Sequence, residues 1–315
     1  MTAKTDQRLR LNIAQLEVFV AIARLGSTRT AAERIGRSQS AVSDALAELE
    51  GTLNAQLFDR VGRRLVLNEQ GRELLPRAAA FLSEAGEIET LFNAHQVATL
   101  HMAASYTIGE YLLPDLIGQW KAGHPHARVH LEIANTSRVL DAVAAFDVDL
   151  GVIEGSGTHP DLMVRRWRDD RLVIVAAPDH PFVGKRVSLR RLADATWIVR
   201  ERGSGTREAT DRWLIDSLGR MLVELELGSN EAVKRAVASG LGLGCLSSFA
   251  VAGALARGEL VELVTPLPLM NRVFSIVVHR QRSLGRTARA FIQHVRLKAS
   301  MPVTGIRRQL RRTEP

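Results

Sequence analysis

One cysteine stands among 315 residues, so no internal disulfide can form, and the expected compartment is a reducing cytoplasm. That residue, Cys245, lies in the apolar run 243–246 and reads as an inert buried thiol. No apolar run approaches the roughly 18 residues of a membrane-spanning helix, and no signal-peptide pattern opens the chain, which argues against membrane and export. Catalytic signatures are missing as well. There is no Walker phosphate loop, no His-Glu-x-x-His zinc helix and no Gly-x-Ser-x-Gly nucleophile elbow. Gly240, Gly242 and Gly244 alternate ahead of an apolar strand, but the later glycine and helix start of a dinucleotide fingerprint do not follow. The nine histidines are scattered, and His124 and His126 flank Pro125 in what reads as a loop. The expectation is a protein that is not an enzyme and carries no metal or cofactor.

Acid is nearly absent from residues 280–315, which hold ten Lys or Arg and the single acid Glu314. That segment contributes +9 to a net charge of +8, leaving −1 for residues 1–279. Residues 1–77 contain twelve basic and nine acidic residues, so an affinity for nucleic acid there rests on where charges point, not on their number.

What the chain does have is a dense set of short-helix signals between Leu16 and Leu67. Leu16, Phe19, Ile22 and Ala23 repeat at helical spacing, and Gly26 with Ser27 ends that helix and starts the next. Ala31, Ala32 and Ile35 give a very short second helix. Gly36 and Arg37 turn the chain, and Ser38 caps a third helix that carries Val42, Ala45, Leu46 and Leu49 inward. Two helices joined by a tight turn form a helix-turn-helix, whose second helix enters the DNA major groove. This one leaves Gln39, Ser40 and Ser43 outside, short polar groups suited to base edges and phosphates. Thr28 and Ser38, at the starts of the second and third helices, join the candidate DNA contacts. Arg29, Arg34 and Arg37 flank the reading helix, while Arg60, Arg63 and Arg64 crowd the following hairpin, a wing turned at Gly62. For any single arginine, a solvated surface is the alternative.

Asn68 then caps a long helix with Leu74, Leu75, Ala78, Phe81, Leu82, Ala85, Ile88, Leu91 and Phe92 on one face. Pro76 predicts a kink or a restart early in it. In a single chain that stripe stays partly wet, at about 25 cal/mol for each Å² of apolar surface. The same helix of a second subunit is the natural cover, and pairing supplies two reading helices for a two-fold operator. A helix folded back on the C-terminal part of its own chain is the alternative.

From Thr99 onward, apolar strand candidates alternate with helical stretches: LHMAAS, ARVHLEIA, LGVIEG, RLVIVAAP, TWIVRE, LVELELGS, GLGCLSS, LVELV and RVFSIVVH. This is the signature of α/β units on mostly parallel sheets. In such sheets ligands bind beyond the carboxyl ends of strands, where helix N-termini converge. Two places have that chemistry: residues 104–109, with Ser105, Tyr106 and Thr107, and residues 202–207, with Ser204 and Thr206. Thr136 and Ser137 open a helix beside the first place, and Ser229 with Asn230 open one beside the second. Free backbone N–H groups, hydroxyls and helix dipoles could clamp a small anion there, although ordinary capping explains either segment alone. Glu154 would repel that anion unless Arg202, Arg207 or water offsets it.

Ala31-Ala32-Glu33-Arg34, Ser38-Gln39-Ser40-Ala41-Val42-Ser43, Leu49-Glu50 and Leu57-Phe58-Asp59-Arg60 together resemble the LysR-type transcriptional regulators, and the likeness extends to about residue 296. It departs at Thr28, where the family often has a bulky apolar residue, and at Asp44, where many members are neutral or basic. The phrases ASYTIGEYLLP and GSNEAVKRAV are most similar to the branch controlling sulfur assimilation and carbon-dioxide fixation. The resemblance implies a winged helix-turn-helix over 1–67, a linker and dimerisation helix over 68–97, and a two-lobed effector domain over 98–300 shaped like a periplasmic solute-binding protein. Lobe I would hold 98–169 and 272–300, lobe II 170–271, and 301–315 a disordered basic tail. It also implies homodimers pairing into homotetramers, a promoter operator in double-stranded DNA, and regulated polymerase access. Ser105, Thr107 and Ser204 align with hydroxyl residues that hold an oxyanion in sulfate-responsive relatives, whereas Ile108 replaces a polar side chain. A sulfur oxyanion, sulfite or sulfate, is the first-choice effector, with a small carboxylate or phosphorylated metabolite second.

Overall fold

The computed structural model describes residues 10–62, 64–91, 99–155 and 157–299, in two compact units that carry residues 10–91 and, for the main part, residues from 99 onward. Arg63, Phe92 and the basic tail 301–315 lie outside the described residues.

The first unit opens with helix α1 (Ile13–Leu25), started by Asn12 and stopped at Gly26, whose φ of +69° no β-carbon opposes. Helices α2 (Thr28–Ile35) and α3 (Gln39–Leu53) follow, and Ser38 Oγ accepts the Ala41 N–H at 3.2 Å, the cap that its position predicts. Strands β1 (Phe58–Val61) and β2 (Arg64–Leu67) pair antiparallel as the wing. Phe19, Ile22, Ala31, Val42, Leu49 and Leu57 are wholly buried and form the core between these elements. Asn68 starts helix α4 (Glu69–Leu91), its Oδ1 taking the Gly71 N–H at 2.9 Å. Gly71 sits against the wing entry: a β-carbon there would lie 2.1 Å from the Leu57 carbonyl oxygen. The helix passes through Pro76 without a restart, so of the two outcomes the proline predicts the restart does not occur. Proline removes one hydrogen bond, and the packing of Leu74, Leu75 and Ala78 on the core holds the turn around it. The apolar stripe is divided. Its first half covers the three-helix core, whereas Phe81 and Ile88 are 52% and 57% exposed.

The second unit begins with β3 (Thr99–Ser105), α5 (Tyr106–Tyr111), α6 (Leu113–Gly123), β4 (Arg128–Ala134), α7 (Thr136–Ala144) and β5 (Leu150–Glu154). Strand β6 (Leu162–Ala176) then leads to α8 (Leu189–Ala193), β7 (Thr196–Arg200), α9 (Gly205–Leu218), β8 (Leu222–Leu227), α10 (Asn230–Ala238), β9 (Leu243–Ser247), α11 (Ser248–Ala256) and β10 (Val261–Glu262). Strand β11 (Met270–His279) returns and α12 (Arg286–Ala299) ends the unit. The strands join in the order β4-β3-β5-β11-β6-β9-β7-β8, with β10 on β6. Within each lobe the βα units are parallel, as the pattern predicts. The long strands β6 and β11 are not: β11 runs antiparallel to β5 and β6, and β6 antiparallel to β9. The sheet is therefore mixed rather than mostly parallel, because two strands carry the chain out of one lobe and back.

Alternation builds the second lobe. Leu172, Ile174, Trp197, Leu243 and Cys245 face one layer, while Val173, Val175, Ile198 and Leu246 face the other. The first lobe packs Ala103, Val139, Val143, Ile153 and Val277 together. Helix α12 docks on that lobe, Trp120 meeting Phe291 edge-on and Trp167 Nε1 donating to the Val295 carbonyl oxygen at 2.9 Å. Among the described residues no helix is long and apolar enough to cross a membrane.

Candidate functional site

The first turn of α3 presents Gln39, Ser40 and Ser43 to solvent, beside exposed Ser38 and Arg37. Buried Val42, Leu46 and Leu49 on the opposite side of the helix force this orientation. Ser38 Oγ lies 3.0 Å from Ser40 Oγ, so two hydroxyls already bias each other at the helix start. Arg29 and Arg34 stand exposed on α2, where Thr28 is half-buried, and Arg29 Nε reaches Glu33 at 3.3 Å. In the wing, Arg60 and Arg64 are exposed. Glu50 fixes the wing to α3 by taking the Leu57 N–H at 2.7 Å. Asp44 is exposed one residue past Ser43 and places an acid on the reading surface.

The second site lies at the carboxyl ends of β3, β5 and β7. Glu154 ends β5 and is 2% exposed. One carboxylate oxygen accepts the Thr107 N–H at 2.8 Å; the other accepts the Thr206 hydroxyl at 2.6 Å and Arg272 Nη1 at 3.1 Å. Arg272 Nε in turn donates to Asp170 at 2.7 Å, and Asp170 also accepts the Ser247 hydroxyl at 2.7 Å. Asp170 and Arg272 face each other in register on β6 and β11, the two strands shared by the lobes. Burial opposes the charge on Glu154, but Arg272 and the Thr206 and Thr107 donors outweigh it and hold the carboxyl at about 2. Burial pushes Asp170 the other way, upward, against the pull of Arg272.

Around this centre, Asn230 at the start of α10 donates to Thr107 Oγ1 at 3.3 Å and accepts Arg200 Nη1 at 2.8 Å. The Arg200 guanidinium is closed by Glu201 and lies 4.6 Å over the Tyr106 ring. Thr136 Oγ1 accepts the Gly205 N–H at 3.3 Å. Gly205 is required: a β-carbon there would fall 2.4 Å from the Glu154 carbonyl oxygen and 2.8 Å from Thr136 Oγ1. An open cavity of about 800 Å³ adjoins the cluster, lined in part by Thr136, Ser137, Arg202 and Ser204.

The structure thus gathers Ser105, Tyr106, Thr107, Thr136, Glu154, Ser204 and Thr206 into one region, with Ser137 exposed at its edge. Two sequence expectations are corrected. The loops do not offer all their N–H groups, since those of Thr107 and Gly205 already have partners. Nor do Arg202 and Arg207 neutralise Glu154. Arg202 is exposed, and Arg207 is held by Asp211 and Glu226; Arg272 pairs with Glu154 instead. Sequence reasoning missed Arg272, Asp170, Ser247 and Arg200. For Arg272 and Arg200 the signal available was a charge in a strand otherwise free of charge, which marks a buried cation without naming its partner.

Comparison with known proteins joins the two sites. Residues 13–72 match the bacterial regulatory helix-turn-helix protein family, lysR type, and residues 93–300 match the LysR substrate binding domain. The chain belongs to the LysR family. It is 44% identical to the HTH-type transcriptional regulator YeiE of Escherichia coli (strain K12) over 286 residues, 91% of this chain and 97% of that one. It is 32% identical to the RuBisCO operon transcriptional regulator of Allochromatium vinosum over 296 residues, 93% and 98% of the two chains. Among solved structures, the regulatory domain of CcmR from Synechocystis PCC6803, in complex with 2-PG, aligns with a TM-score of 0.60 at 30% identity, covering 64% of this chain and 98% of that domain. As a LysR-type transcriptional regulator it is a DNA-binding protein with an effector domain, not an enzyme. Its relatives include a regulator of carbon-dioxide fixation genes, as the resemblance implied.

Proposed function

We propose that this LysR-type regulator reads a promoter operator through the first turn of α3 and the wing, and that a small anion in the interlobe cleft switches it. Gln39, Ser40 and Ser43 read base edges, while Thr28, Arg29, Arg34, Arg37, Ser38, Arg60, Arg63 and Arg64 hold the flanking phosphates. The half of the α4 stripe that its own unit leaves exposed, Phe81 and Ile88, pairs with a second copy, and dimers associate further into tetramers. The protein works at the nucleoid in the cytoplasm, where its position on the promoter governs access of RNA polymerase.

The observation that carries the effector reading is the convergence of strand ends and helix starts from both lobes on one buried polar cluster around Glu154 and Arg272. A ligand that bonds to both lobes favours one lobe arrangement, and it shifts the regulator only by its difference in affinity between arrangements. Sulfite or sulfate is the first candidate; a small carboxylate, or 2-PG as in the CcmR complex, is the second. Footprinting on the region upstream of its own gene, repeated with each anion, tests both halves together. Protection of a defined site that changes with one anion supports the reading, and a footprint indifferent to all of them removes the effector assignment. In a S105A/T107A double variant, basal protection should persist while the anion response disappears.

A further inference from the structure

The nine histidines are scattered in sequence, but the sheet places two of them side by side. His101 of β3 and His130 of β4 are direct partners in the parallel ladder, and their ring centres lie 5.6 Å apart. Residues opposite each other on neighbouring parallel strands project to the same side of the sheet from backbones about 4.8 Å apart. Both side chains are exposed, and among the described residues neither ring has a partner besides the other. Other histidines are spoken for: the Nδ1 atoms of His124, His159 and His180 bond to backbone, and His279 is buried. The backbones beneath the pair are fixed. The register of β3 on β4 is unbroken from Thr99 and Arg128 to Ser105 and Ala134. Asp149 holds His101 from the other side, its carboxylate accepting the His101 N–H at 2.9 Å and its own N–H donating to the His101 carbonyl oxygen at 2.7 Å.

We propose that His101 and His130 form a cross-strand site for an imidazole-preferring divalent cation, zinc, nickel or copper, on the first lobe. Neutral imidazole suits these ions, whereas magnesium and calcium demand oxygen. Two imidazoles sharing one ion, each nitrogen about 2.0–2.1 Å from it in tetrahedral geometry, bring their ring centres to about 5 Å. Rotation of two exposed side chains on a fixed backbone closes the small remaining gap. No third His, Cys, Asp or Glu gathers with the pair among the described residues, so water completes the shell. Exposed Arg128 and Glu132 stand on either side of His130 on the same face of β4. Their charges are opposite, which leaves the two nitrogen donors to supply the affinity. Strand β4 is an edge of the sheet, held by β3 alone, and a shared ion adds a second tie. Because the pair exists only in the folded chain, the ion raises stability with its concentration. The site is separate from the cleft: it lies toward the amino ends of β3 and β4, whereas the cleft takes the carboxyl end of β3. It departs from the sequence expectation of a chain without metal, because a cross-strand pair leaves no local spacing to read.

The experiment is calorimetric titration of the full-length chain, free of any affinity tag, with zinc, nickel and magnesium chlorides. The native chain should bind one zinc or nickel ion per subunit and no magnesium. Loss of a contact that merely supports a metal ligand costs about 10–100-fold, so H101Q and H130Q should each weaken binding by at least about tenfold. The double variant should be little worse than either, since a chelate fails when one arm is removed. Both positions are exposed, so the metal-free melting temperature should stay put in each variant. Zinc should raise the melting temperature of the native chain and leave that of the double variant unchanged. On the native chain itself, zinc should shield His101 and His130 from diethyl pyrocarbonate, read by mass spectrometry, while exposed His126 stays reactive. Magnesium binding as tightly as zinc, zinc affinity unchanged in both variants, or a loss confined to one of them would each overturn the pair. So would shielding of other histidines with these two left reactive, or absence of binding by zinc and nickel alike. None of these results bears on the cleft reading, which the anion footprint decides.

Discussion

The reading head and the interlobe cleft use polar residues in opposite ways. In the head, polarity is kept almost wholly outside: Gln39, Ser40, Ser43 and the arginines of α2 are exposed, and the interior around Phe19 and Leu49 is apolar, with Gln15, which donates to Glu48, the buried polar residue at its edge. In the cleft, polarity is taken inside: Glu154, Asp170, Arg272, Ser247, Thr107 and Asn230 are all buried and bond to one another. An exposed polar group costs the fold little and remains available for DNA. A buried one must be satisfied wherever the domain is folded, so binding and stability become coupled. The head can thus change its contacts freely, whereas the cleft ties ligand recognition to the packing of two lobes.

Breaking the cleft network gives the largest expected effect. Arg272→Ala leaves Glu154 and Asp170 buried without their cation, and loss of one partner from a buried ion pair typically costs about 3–5 kcal/mol. Thermal unfolding should show the effector domain melting far earlier, while helical signal from the head persists; an unchanged melting profile would mean that water already reaches the pair. Protonation tests the same contact. The folded-state carboxyl of Glu154 sits at about 2, below its ordinary 4.5, so its stabilising contribution is complete above that ordinary value and is lost as pH falls through 2. Acid titration of the native chain should therefore show an acid-labile component that E154Q lacks. Gly205→Ala comes next, since its β-carbon would press on backbone at the end of β5 that cannot yield cheaply. A loss of about 1–3 kcal/mol is expected, together with loss of anion response.

These contrasts also explain what could be read in advance. The head was legible because each rule in it is local: Ser38 caps three residues on, Gly26 and Gly36 take positive φ, and Val42, Leu46 and Leu49 follow one period. The βα units were legible for the same reason. The opening of β6 was not, because LMVRRWRDD reads as a polar loop; it is a strand only because β11, a hundred residues later, supplies its ladder. The cleft's hydroxyls were visible as helix starts, yet the cation that satisfies Glu154 was invisible. Arg272 is 118 residues from Glu154 in sequence, and no local pattern couples them. Nearer arginines looked suitable because sequence distance stood in for spatial distance.

On the reading surface the effects are smaller and show in binding alone. Gln39→Ala removes an exposed side chain, so the melting temperature should not move. If Gln39 reads a base with both amide atoms, discrimination at that position drops by about 1–3 kcal/mol, seen as relaxed preference in competition with altered operators. A uniform loss across all sequences would make it a backbone contact instead.

Arg29→Ala should produce the smallest change, and it separates the two regions most sharply. Its guanidinium is 78% exposed and its one ion pair, with Glu33, spans a single helical turn in solvent. Such pairs contribute little to folding, so no shift in unfolding should be measurable. A phosphate contact still shows in the salt dependence of DNA binding, because each neutralised phosphate adds about 0.9 to the slope of log affinity against log salt. The slope should therefore fall by about one per DNA-bound subunit, with sequence preference unchanged. An unaltered slope would place Arg29 in solvent and leave Arg34 and Arg37 as the α2-side anchors. The same deletion of one guanidinium would thus be nearly silent in the head and disabling at Arg272, and burial alone sets the difference.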